Sequence, residues 1–156
     1  MIPKDLISQA ERLADLSPNK PKQVNLRRAI SSAYYAVFHA LCQSNASALV
    51  GTGSQKPEKA WSQCYRALDH GTAKKRCKDS ASKGFPQEIN DFSNSFVALQ
   101  EYRHRADYNP DSAKNFSKQE TLTIVGQARS AVKAISVARI KDRRAFAIHV
   151  LLPYRD

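Results

Sequence analysis

The chain is poor in the residues that would mark many common protein classes. Only 3 cysteines occur in 156 residues, Cys42, Cys64 and Cys77, with no CxxC pair. An odd count without paired spacing argues against a disulfide framework and points to reduced thiols in a cytoplasmic protein. Cys64, His70 and Cys77 are spaced by six and seven residues, which matches no compact zinc motif, so no metal is expected. Glycine is scarce, at 5 residues, and no glycine-rich phosphate loop, HExxH or G-x-S-x-G is present. The common nucleotide hydrolases, zinc proteases and serine hydrolases therefore have no support, and no cofactor is called for. No long uninterrupted apolar run occurs, so no membrane span is expected. The opening Met1-Ile2-Pro3-Lys4-Asp5 lacks the apolar segment of a secretory leader.

Acidic residues are the other shortage. There are 14 Asp and Glu against 25 Lys and Arg, a net charge of +11. The excess is concentrated. Residues 20–83 carry 12 basic and 3 acidic side chains, and residues 121–156 carry 7 and 2. Two positive blocks favour a polyanionic partner, because binding releases condensed counterions. Lys74, Lys75, Arg76 and Lys78 form the densest run and are the expected phosphate contacts.

What is present is helical periodicity, with 42% apolar residues in an ordinary balance for a globular domain. The spacing predicts five helices, near 3–16, 24–48, 57–75, 86–107 and 117–138. Ser17-Pro18-Asn19-Lys20-Pro21 breaks the first from the second, and Gly51-Thr52-Gly53-Ser54 ends the second. Lys78-Asp79-Ser80-Ala81-Ser82-Lys83-Gly84 reads as a mobile basic loop. Ser117-Lys118-Gln119-Glu120 is a capping box that launches the fifth helix. Short loops between amphipathic helices imply an all-α antiparallel bundle over residues 1–138. Residues 139–156 read as a tail, apolar from Phe146 to Leu152, that docks on the core or on a partner.

Two helices carry chemistry. On the second, Leu26, Ile30, Ala33, Val37 and Leu41 share one face, while Arg28, Tyr35 and His39 fall within about 40° of each other on the other. An Arg, a Tyr and a His in one line suit phosphate binding, base stacking or proton transfer, or else form a solvated back face. On the fourth, Arg103 continues the apolar stripe of Ile89, Phe92, Phe96 and Leu99, with Asp107 one turn on. A guanidinium on a core face must be paired or must line a cleft. His104, Arg105 and Tyr108 crowd the same helix end, which makes it a site candidate.

The segment from Asn25 to Leu41, with Arg27-Arg28-Ala29-Ile30 and Tyr34-Tyr35-Ala36-Val37-Phe38-His39, resembles the long second helix of HEPN domains. Arg103-His104-Arg105-Ala106-Asp107-Tyr108 is similar to the segment that closes a later helix in that family. The resemblance covers roughly residues 3–138. It implies a HEPN-like bundle of four to five helices, commonly a homodimer. It also implies RNA binding with metal-independent endoribonuclease activity of the toxin or antiviral-defence type. Arg103 would then be the catalytic arginine, and His39, His104, Asp107 and Tyr108 its companions, with Arg28, Tyr35 and Arg105 on the RNA. The family pairs its arginine with a histidine, and that position here holds Tyr108, a phenol that is a poor base at neutral pH. The alternative is a non-catalytic module that binds RNA, nucleotide or a partner protein, such as a cognate antitoxin or nucleotidyltransferase.

Overall fold

The computed structural model describes residues 2–155, and among them every regular element is helical. Seven α-helices follow in order: α1 Ile2–Asp15, α2 Gln23–Leu49, α3 Glu58–Tyr65, α4 His70–Asp79, α5 Gln87–Tyr108, α6 Lys118–Val137 and α7 Ile140–Leu151. Single 3-10 turns lie at Ser80–Lys83 and Ser112–Lys114. Among the described residues no helix is long and apolar enough to cross a membrane.

The helix α2 is the axis of the bundle. Its 27 residues extend about 40 Å at 1.5 Å per residue. It packs against α1, α3, α5, α6 and α7. That is why it buries far more than one stripe: Leu26, Ile30, Tyr34, Val37 and Leu41 are wholly enclosed, and so are Ala29, Ala33 and Ala36. The alanines let α1 approach closely, where Ala10 and Ala14 are equally buried. Phe92, Phe96 and Leu99 of α5 and Phe146 of α7 complete the core.

The chain differs from the five-helix expectation in three places, each with a local cause. The helix expected over 57–75 is two, because Asp69 turns extended and its carboxylate accepts the Thr72 amide at 2.8 Å, starting α4 afresh. The segment expected as a mobile basic loop is the end of α4 plus a 3-10 turn. Ser80 is buried there and donates to the Cys77 carbonyl at 3.0 Å, and Gly84, with φ 75°, supplies the left-handed exit. The tail after Ala138 is α7, whose Phe146 and Val150 enter the common core. His149 fastens it: its Nε2 donates to the Arg76 carbonyl at 2.7 Å, and its Nδ1 meets the Tyr154 hydroxyl at 2.6 Å.

The capping box at Ser117 forms by half. Ser117 Oγ accepts the Glu120 amide at 3.0 Å, while the Glu120 carboxylate turns to Arg105 at 3.2 Å. The end of α5 is held from outside as well. Arg27 Nη1 donates to the carbonyls of Arg105, Ala106 and Asn109 at 3.2, 3.1 and 2.5 Å, and Nη2 to Asn115 Oδ1 at 3.1 Å. A cation on the last carbonyls of a helix satisfies orphan acceptors and complements the dipole. This clamp sets the place of the residues just before it on α5, including Arg103.

Candidate nucleic-acid interface

Arg103 enters a crevice between α5 and α2. Its side chain is only 14% exposed. The guanidinium carbon lies 5.0 Å from the ring centre of Tyr34 and 5.8 Å from those of Tyr35 and Tyr108. Nη1 is 3.5 Å from the Tyr35 hydroxyl and 3.7 Å from Asp107 Oδ2. Asp107 is fixed in turn, since both its oxygens accept from Ser31 Oγ, at 2.9 and 3.0 Å. The Nε of Arg103 is buried with no partner among the described residues. One carboxylate at 3.7 Å and three π-faces hold this cation in place and leave its hydrogen-bonding fork largely unspent.

His70, at the start of α4, shows in the sequence only as a poor metal ligand, and the fold carries it to this crevice. Its Nδ1 lies 2.7 Å from the Tyr34 hydroxyl, and its ring stacks on Phe38 at 3.9 Å and meets Tyr35 edge-on at 6.0 Å. Burial, and then the Arg103 charge, lower its pKa below the usual histidine value. Burial also raises the Tyr34 pKa strongly, so that phenol keeps its proton. A buried hydroxyl needs an acceptor, and its hydrogen-bond partner is Nδ1. The neutral ring therefore accepts there and carries its own proton on Nε2. His39 repeats the arrangement. Its Nδ1 lies 2.6 Å from the Tyr65 hydroxyl, burial raises the pKa of that phenol, and burial lowers the pKa of His39. A Tyr–His hydrogen bond across helices has no short-range sequence signature, because 36 residues separate Tyr34 from His70.

These groups form one line of rings along one side of α2. Trp61 and Tyr65 of α3 lie 5.2 Å apart; Tyr65 joins His39, His39 joins Phe38 at 5.9 Å, and Phe38 stacks on His70. Beyond Arg103 the line continues to Tyr108, which is 63% exposed and lies 5.0 Å from the exposed ring of His104. Lys74 and Lys78 follow His70 at four-residue intervals on one edge of α4; Lys74 Nζ is 3.5 Å from Glu101. Arg28 is exposed beside Tyr108 and Asp107, in a shallow groove of about 560 Å³.

Three of the expected contact residues are placed elsewhere. Arg105 turns to the other side of α5, where it donates to the carbonyls of Lys114 and Asn115 and lies 3.8 Å over the Phe116 ring. Arg76 lies over Tyr154 at 4.8 Å, sharing that ring with Lys83 at 4.5 Å, and helps to pin α7. Lys75 is exposed on a further face of α4. Among the described residues no group of three His, Cys, Asp or Glu side chains is placed to hold one metal ion. Burial pushes the thiols of Cys42 and Cys77 up to about 12, so both stay protonated and unreactive at neutral pH.

The two depressed histidines make a pH prediction. In the unfolded chain they bind protons near the model-peptide pKa of ~6.5. In the folded chain they bind them only at lower pH, so the unfolded state takes up more protons between those values. Stability should be fully present above about pH 6.5 and should fall as pH drops through the folded pKa values. Histidine titration by NMR, alongside melting temperature between neutral and mildly acidic pH, checks this. Midpoints for His39 and His70 at or above the model-peptide value would contradict the geometry.

Comparison with protein-family models, curated proteins and solved structures found no match.

Proposed function

We propose that this chain is a HEPN-like RNA-binding protein that grips a phosphodiester of single-stranded RNA at Arg103. One observation carries the reading: a mostly buried arginine with an unspent fork sits in the middle of a line of aromatic and imidazole rings. Arginine supplies a planar fork for phosphate, and the exposed rings at the end of the line give bases sequence-tolerant stacking platforms. Tyr108 and His104 offer the exposed end of that platform, and Lys74, Lys78 and Arg28 flank it with charge. The Nε2–H of neutral His70 is a donor suited to a phosphate or base oxygen. The resemblance of residues 25–41 and 103–108 to HEPN domains supports the same assignment. It adds the expectation of a symmetric homodimer in which two Arg103 segments meet, or of a protein partner that completes the site.

A second reading, metal-independent cleavage, is favoured by His104 beside Tyr108, one ring from Arg103. The RNA 2′-oxygen would give its proton to His104 and bond to phosphorus, while the bond from phosphorus to the 5′-oxygen breaks. That oxygen would take a proton from water, leaving a 2′,3′-cyclic phosphate and a 5′-hydroxyl. Arg103 would stabilise the charge of the phosphorane.

The test is titration of labelled single-stranded RNA into the protein over a range of salt, in EDTA. Affinity should fall steeply with salt, and charge reversal at Lys74 and Lys78 should flatten the slope by roughly one unit for each phosphate no longer neutralised. That weakening should be nearly uniform across RNA sequences, because phosphate contacts carry little base information. Salt-independent affinity, or none at all, would overturn RNA binding. Cyclic-phosphate products that vanish in Arg103→Ala would establish cleavage, and intact RNA in the bound complex would leave binding alone.

A further inference from the structure

A second site lies on a different side of α2 from Arg103. There α1, the later half of α2, the later half of α6 and the start of α7 leave a cavity of about 790 Å³. That is within the size of a small-ligand pocket. Its floor is apolar, with Ile7, Ala40, Val132 and Ile135. Hydroxyls are set into the wall at Ser8, Ser44 and Ser47. Its charged groups are Lys4, Arg129, Lys133 and Arg143, and no carboxylate lines it.

The cations are not neutralised from within. Arg129 pairs with Glu11, but Lys4, Lys133 and Arg143 have no acidic partner among the described residues. Lys4 and Lys133 are exposed and Arg143 is half-buried, so the hollow carries positive charge with no carboxylate of its own. Arg143 is the more telling. Its Nε is shut off from solvent with no acceptor among the described residues, so the charge of this guanidinium is poorly compensated by the fold. An anionic head at Arg143 and Lys133 would supply the missing counter-charge. The apolar floor leaves room for an uncharged body behind it.

We propose that this cavity binds a small organic anion, with its charged head on Lys133 and Arg143 and an apolar or planar body against Ile7, Val132 and Ile135. The site is separate from the RNA interface and does not depend on that reading.

The probe is anilinonaphthalene sulfonate, an aromatic anion, compared with the uncharged dye Nile red and with pyrophosphate, an anion without a body. Saturable binding of the sulfonate is expected, with displacement by pyrophosphate and amide shifts at Gln43, Ser44 and Val132 in NMR. Lys133→Glu, which changes an exposed side chain and spares the fold, should weaken it about tenfold or more, and Arg143→Gln comparably. Arg103→Ala should leave it unchanged. Equal sulfonate affinity in wild type and Lys133→Glu, or Nile red binding that responds to the same variants, would show a merely apolar surface and overturn the proposal. Loss in Arg103→Ala with retention in Lys133→Glu would place the anion in the other crevice and also overturn it.

Discussion

Arg103→Ala is expected to lower affinity for single-stranded RNA by roughly 30- to 150-fold, which corresponds to about 2–3 kcal/mol for hydrogen bonds to a charged group. The size of the effect comes from placement. Arg103 is largely enclosed, so its charge acts through protein rather than across water, where the same charge would be screened. It is also held ready by Tyr34, Tyr35 and Asp107, so little rotamer entropy is lost when RNA arrives. Arg103→Lys should recover only part of the affinity, because an ammonium keeps the charge and loses the fork. The fold should survive both changes, since Asp107 retains its two bonds from Ser31. Anisotropy titrations of the three proteins at one salt concentration measure the effect. Equal affinity in wild type and Arg103→Ala would move the RNA site away from this crevice.

Phe96→Ala should be among the most damaging single truncations that leave every ionisable group in place. The Phe96 ring is fully buried between Tyr34, at 5.7 Å, and Phe92, at 6.1 Å. Truncating a buried phenylalanine costs about 3–5 kcal/mol, from the transfer energy of the removed ring plus the cavity left behind. Set against a total stability of about 5–15 kcal/mol, that is a large share. The denaturation midpoint should drop sharply with little change in slope. Phe96→Leu should cost much less, because it refills most of the volume. The site should feel the same change. Phe96 backs Tyr34, and Tyr34 positions both His70 and Arg103, so RNA affinity should fall even under conditions where the variant stays folded. A destabilisation below about 1 kcal/mol would mean that α5 repacks freely onto α2.

The amino-acid sequence by itself determined the helical class, because its apolar residues recur at helical spacing and its breakers sit between those runs. It also determined that Arg103 could not be an ordinary surface charge: a cation in register with Phe92, Phe96 and Leu99 has to meet a partner or a crevice. Tyr35 and His39 were legible as a line on α2, since residues on one helix share a face by arithmetic alone. Tertiary structure decided what that line faces. Spacing alone is equally compatible with a solvated back face, whereas α3, α4 and α5 cover the line and turn it into a continuous series of rings. His70 and Trp61 join it from separate helices, and no periodicity within one segment reports a contact between segments. The roles of the arginines were decided at the same level. Arg27, Arg103 and Arg105 are chemically identical side chains, and one caps a helix, one lines a crevice and one packs on Phe116. Which of these a guanidinium does depends on the carbonyls, carboxylates and rings that the bundle brings within reach of its fork.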